Sequence, residues 1–138
     1  MATSRFAQST KVPVSQSIAE IERTVKRYGG SQFVFAVAEE QAVVGFTKEG
    51  RQVRFHVPFG ETKAATYAQR QRQRMRALLL VIKARLEAVE SGVETFEDSF
   101  MANIVLPGGR LLSQEVRPAI ARAYETGDMP PLLPDFTA

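Results

Sequence analysis

The chain has 138 residues, 44% hydrophobic and 24% charged, which suits one hydrophobic core, leaves too little for two, and is too apolar for disorder. It contains no cysteine, which excludes a disulfide framework and thiolate chemistry, and no uninterrupted apolar run exceeds six residues, as at Ala77 to Ile82. The polar N-terminus lacks the apolar core of a signal peptide, so the expectation is a cytoplasmic protein with no membrane partner.

Residues 1–14 read as a flexible leader, 15–128 as a single α+β domain, and 129–138 as an extended proline-rich tail. Ser17 with Glu20 three residues on is a capping box, and Ile18, Ile21, Val25 and Tyr28 recur at helical spacing until Gly29 and Gly30. A first helix is therefore expected over Ile18 to Tyr28. FVFAVA, AVVGF and RQVRFHVPF then change the period, and predict a three-stranded antiparallel meander. In the third run Val53, Phe55, Val57 and Phe59 alternate with Gln52, Arg54 and His56, giving one core face and one polar face.

The longest helix is expected over Ala64 to Glu90, closed by Ser91 and Gly92. At 100° per residue, Met75, Leu78, Leu79, Ile82, Leu86 and Val89 form the stripe that covers the sheet. Leu80 and Val81 lie on the back of that helix and need a second cover, from the C-terminal helices or from another copy. Thr95 and Asp98 cap a short helix, NIVLPGGRLL reads as a hairpin around Pro107, Gly108 and Gly109, and a last helix spans Ser113 to Thr126. The architecture expected is thus a meander backed by a long helix, with a helix-hairpin-helix C-terminal part. In the tail, Leu132, Leu133 and Phe136 are bracketed by prolines and resemble a docking peptide, although packing on their own domain is the stronger expectation.

Charge is unevenly placed. Lys63 to Arg85 holds seven basic residues and no acid, and because the whole chain sums to +3 the remainder carries a net charge of −4. One basic surface on a mildly acidic body favours a polyanionic partner. Arg72, Arg76 and Lys83 share one side of the long helix, with Arg70 and Arg74 on the other, and Arg54 and His56 project from the neighbouring strand. Guanidinium groups bind phosphate oxygens bidentately, so two such rows would flank a nucleic-acid backbone without reading its sequence. An ion-pair network and simple solubility are the competing uses of the same charges, and the missing local carboxylates favour phosphate.

IERTVKRYGG, AVVGF, VRFHVP, the run QRQRMRALLLVIKARLEAVESGVETFEDSF, VLPGGR and MPPLLP together resemble a group of short, largely uncharacterised bacteriophage and prophage proteins, over nearly the whole chain. In that group an aromatic often stands where this chain has Met75, so no aromatic role carries over. The resemblance implies an accessory protein in a bacterial host cell, acting near replication, recombination or host takeover, and supplies no catalytic residues.

The element order is also that of metal-dependent nucleases, which need a carboxylate on the second strand and a (D/E)-x-K pair on the third. AVVGF and RQVRFHV lack them, and Glu20, Glu22, Glu39 and Glu40 are explained by capping and turn solvation. His56 is the only histidine and has no evident partner for nucleophilic or metal chemistry. No catalytic residue, metal or cofactor is expected. The same order suits single-strand annealing proteins, a fold-level analogy only. Nucleic acid, with single-stranded DNA favoured, is the first expected partner, and a homo-oligomer and a protein docked through the tail remain open. The rival function is a protein-interaction module that binds and modulates a host or phage enzyme or defence complex.

Overall fold

Pro13 sets where the first helix begins. In the computed structural model, which describes residues 10–133, helix α1 spans Val14–Arg27, and the Pro13 carbonyl accepts from the Gln16 and Ser17 amides. The capping box expected at Ser17 is therefore not used. Nothing between Val14 and Ser17 breaks helical geometry, so the chain extends back to the proline, whose φ of −60° suits a helix entry. Ser17 becomes an interior, buried residue.

Three antiparallel strands follow, β1 Ser31–Val37, β2 Gln41–Lys48 and β3 Arg51–Pro58, in the spatial order β1-β2-β3. This is the expected meander. Val44 faces Phe35 on one side and Phe55 on the other, which fixes the register across the sheet. A bulge interrupts β1 near Gln32, whose φ is +53°.

Helix α2 spans Tyr67–Glu90, three residues later than the pattern predicts. The segment before it is a turn, with the Tyr67 ring edge-on to Phe59 at 6.3 Å and its hydroxyl donating to the Glu39 carbonyl. Met75, Leu78, Leu79, Ile82 and Leu86 are buried, as the helical stripe requires, and Val89 packs beside them. They meet Ile18, Ile21 and Val25 of α1 and Val44, Phe46, Val53 and Phe55 of the sheet. Both helices thus cover one face of the sheet, and each fully buried core phenylalanine contributes roughly 1.5–3 kcal/mol.

The C-terminal third is α3 Phe96–Ser99, a 3-10 turn Met101–Asn103, and α4 Leu112–Thr126. Thr95 caps α3 by accepting from the Asp98 amide, as expected. The hairpin is reduced to a single bridge between Val105 and Leu111, because the intervening chain turns at once through Gly108 and Gly109, both at positive φ. Phe96 and Phe100 carry this region into the main core, stacked at 4.7 Å with Phe100 edge-on to Phe46 and Phe55. Among the described residues, no helix is long and apolar enough to cross a membrane.

Candidate nucleic-acid interface

The seven basic residues of the acid-free window do not form one surface, because several anchor the fold. Arg70 donates from Nη1 to the Phe59 carbonyl at 2.8 Å and from Nη2 to Thr66 Oγ1 at 3.1 Å, and Arg74 donates to the Pro58 carbonyl at 2.6 Å. Together they tie α2 to the end of β3. Arg85 donates to Asn103 Oδ1 at 3.0 Å while its guanidinium lies 5.7 Å from the ring centroids of both Phe55 and Phe100. Arg72 donates to Gln69 Oε1 at 2.7 Å along its own helix, and its Nε is buried without a hydrogen-bond partner.

Arg76 finds a carboxylate after all. Its Nη1 lies 2.7 Å from Glu20 Oε2, across the packed pair α1 and α2. A carboxylate absent from the local sequence is supplied by a neighbouring helix, so the acid-free window does not leave every arginine unpaired. Burial alone would raise the Glu20 pKa, but hydrogen bonds from Arg76 and Gln16 and the positive charge of Arg76 and Arg23 outweigh it, leaving the pKa below its ordinary value.

Arg54 and His56 sit elsewhere. They alternate with the buried Val53 and Phe55, so they occupy the face of β3 turned away from the helices, opposite Gly45 and Val43. The sheet separates them from Arg76 and Lys83. The two rows therefore cannot flank a single backbone, and that part of the expected site is corrected.

The structure assembles a different basic group. Arg23 and Arg27 of α1 join Lys83 of α2 around a shallow groove of about 380 Å³ that also contains Thr24 and Glu20. Glu20 is already neutralised by Arg76, which leaves three cations facing the groove. The Arg27 guanidinium lies 5.1 Å from the centroid of the Tyr28 ring, and the Tyr28 hydroxyl donates to Glu87 Oε1 at 3.1 Å, so the positive region ends where Glu87 begins. The signal was present in the sequence, because Glu20, Arg23, Thr24 and Arg27 fall at i, i+3, i+4 and i+7 and make one polar stripe on α1.

The expected interface residues divide as well. Leu80 and Val81 are each 40% exposed, so the C-terminal helices do not bury them. The last helix packs instead on the 3-10 turn, and the stretch that follows that turn runs along the outer edge of β3, where the Val105 amide donates to the Gln52 carbonyl. Leu132 and Leu133 fold back beside α4 and line an apolar groove of about 570 Å³ with Met101, Leu112, Val116 and Ile120. Phe136 lies outside the described residues. Among the described residues, no cluster of three or more histidine, aspartate or glutamate side chains could hold a metal ion. No family model, curated protein or solved structure matches the chain.

Proposed function

We propose that the protein is a non-enzymatic nucleic-acid-binding accessory protein that holds a phosphate backbone in the groove between α1 and α2. The observation that carries this reading is the convergence of Arg23, Arg27 and Lys83 on one groove whose single carboxylate, Glu20, is engaged by Arg76. Arginine forks and a lysine ammonium bind phosphate oxygens through charge-assisted hydrogen bonds, and counterion release supplies the affinity. Such contacts position a strand without specifying its sequence. Single-stranded DNA is the favoured ligand, because the groove is short and Tyr28 beside Arg27 offers a ring on which a base can stack. The resemblance to phage accessory proteins supports a role in replication or recombination.

The test is a binding panel of single-stranded DNA, duplex DNA and RNA at two salt concentrations, using protein freed of co-purified nucleic acid. Binding that weakens with salt and favours the single strand is expected. Failure to bind any of the three at low salt would remove the reading.

A second reading, a module that modulates a host or phage enzyme or defence complex, draws on the apolar groove beside α4. Its walls expose Ile120, Leu132 and Leu133 by 42 to 47%, surface of the kind that takes an apolar segment of a partner. A Val116→Glu, Ile120→Glu double variant that keeps nucleic-acid binding but loses biological activity would favour it.

A further inference from the structure

The two edges of the sheet are treated differently by the rest of the chain. Along β3 three of the four outward carbonyls are occupied: Gln52 accepts from the Val105 amide at 2.9 Å, Arg54 from Asn103 Nδ2 at 3.0 Å, and Pro58 from Arg74 at 2.6 Å. Along β1 nothing equivalent occurs among the described residues. The Ala38 amide donates to the Gln41 carbonyl at 2.9 Å, so Ala36 and Val34, two and four residues back, turn their polar groups toward β2. Those of Phe35 and Val37 therefore point outward from the sheet.

This edge also lacks the features that keep an edge strand solitary. The segment SQFVFAV contains no charge, no proline and no lysine. Its one irregularity, the bulge at Gln32, lies at the start and leaves the stretch after it regular. Phe35 and Val37 stand on the helix side of the sheet, opposite the buried Val44 and Ala42, yet are 55% and 45% exposed because the helix layer stops short of the edge. Val34, on the other face, is 56% exposed. An uncovered ladder flanked by apolar side chains on both faces is incomplete.

We propose that β1 pairs antiparallel with β1 of a second copy about a twofold axis at Ala36, joining two three-stranded sheets into one of six. In this register Phe35 meets Val37 of the second copy and the reverse, so all four outward N–H groups find carbonyls, and the exposed side chains of both copies form one apolar strip. Charge selects the same occupant. The turn at one end of β1 carries Glu39 and Glu40, while the other end is preceded by Arg27 and flanked by Lys48, whose Nζ is 2.7 Å from the Tyr28 carbonyl and 3.8 Å from Glu49, so the balance there is positive. Antiparallel pairing sets the acidic end of each copy against the basic end of the other, whereas parallel pairing would set like against like.

The test needs no nucleic acid, so it stands or falls separately from the binding reading. Sedimentation equilibrium should give a mass twice 15.3 kDa. Phe35→Lys and Val37→Lys should each weaken self-association by about ten-fold or more while leaving the far-ultraviolet circular dichroism unchanged, since lysine blunts an edge without touching the β2 ladder. The chain has no native cysteine, so Ala36→Cys provides a single, small, exposed reporter. Opposed Cα atoms at a non-hydrogen-bonded pair lie about 4.5 Å apart, within disulfide range. Ala36→Cys should therefore cross-link under mild oxidation, and Val81→Cys, on the exposed back of α2, should not. A monomer at every concentration, a dimer indifferent to both lysine variants, or faster cross-linking at Val81→Cys than at Ala36→Cys would each overturn the proposal.

Discussion

Glu20 Oε2 and Arg76 Nη1 stand 2.7 Å apart, the contact at which α1 meets the basic stretch of α2. Each side chain is about a quarter exposed, at 24% and 27%, so the pair is screened less than a surface ion pair and more than a buried one. It removes Glu20 as a competitor for the cations around it. The groove can accept an anion because its own carboxylate is already engaged.

That pair makes stability depend on pH in a stated direction. A carboxyl whose folded pKa lies below its ordinary value of 4.5 contributes stability that is fully present above that value and is lost as pH falls through the folded pKa. Glu20→Gln keeps the size of the side chain and abolishes the titration. Urea denaturation should show a wild-type loss below pH 4.5 that is smaller in the variant. At neutral pH the variant should also bind nucleic acid more tightly, because Arg76 becomes a fourth cation at the groove, with a salt slope steeper by about 0.7 to 0.9.

Arg70 and Arg74 separate charge from architecture. Both donate to backbone carbonyls at the end of β3, so replacing both with Gln should lower the melting temperature. Lost hydrogen bonds from charged donors cost about 1.5–3 kcal/mol each in partly buried settings, discounted here because the Arg74 bond is exposed and Arg70 also has exposed contacts. The salt slope of nucleic-acid binding should be unchanged. A slope that falls by about one contact for each substitution would place them in the interface instead.

These assignments mark how far the sequence could be read. Alternation in β3 and the 3.6-residue stripe of α2 correctly identified Val53, Phe55, Met75 and Ile82 as core, because those periods are set by backbone geometry alone. The cap at Ser17 failed because capping propensity competes with the proline upstream, and the rule cannot rank them. The partners of the basic residues were illegible for a different reason. Local absence of carboxylates says nothing about Glu20, 56 residues from Arg76, or about carbonyls at a strand end. Alternation also put Arg54 and His56 on the polar face of β3, where they lie, but it does not show on which face of the sheet the helices pack, and so it joined them to Arg72, Arg76 and Lys83 across the sheet.

Asn103 is a hub whose loss should exceed that of an ordinary surface amide. It donates to the Arg54 carbonyl at 3.0 Å and accepts from Arg85, thereby linking the 3-10 turn to both β3 and α2. Asn103→Ala should destabilise the fold by about 1–3 kcal/mol, measured by chemical denaturation. Asn103→Asp keeps the acceptor for Arg85 and forfeits the donor, so it should fall between the two.

Gly30 is constrained by space. A Cβ there would lie 2.5 Å from Val25 Cγ1 and 3.1 Å from the Val25 carbonyl, to which the Gly30 amide donates at 2.8 Å. Gly30→Ala must push α1 away from β1 or break that bond, at a cost of about 1–3 kcal/mol. Gly92→Ala, with open space around it but a φ of +83°, tests backbone strain by itself at about 1 kcal/mol. A larger loss at Gly92 than at Gly30, read from denaturation midpoints, would contradict this ordering.

The final prediction concerns the groove itself. If Arg23, Arg27 and Lys83 each neutralise one phosphate, the logarithm of affinity should fall linearly with the logarithm of salt, with a slope of roughly −2 for single strands and nearer −3 for duplex. Replacing each in turn by Gln should reduce that slope by about one contact and weaken all sequences alike, since backbone contacts carry no base information. Gln preserves helix propensity and most of the aliphatic stem, so stability should change little at these exposed positions. The triple variant should lose the salt-dependent term and leave only stacking on Tyr28. Arg54→Gln and His56→Gln, on the far face of the sheet, serve as the contrast and should leave the slope where it was. A triple variant that binds with the wild-type slope, or an Arg54→Gln variant that removes a contact, would move the interface to the outer face of the sheet.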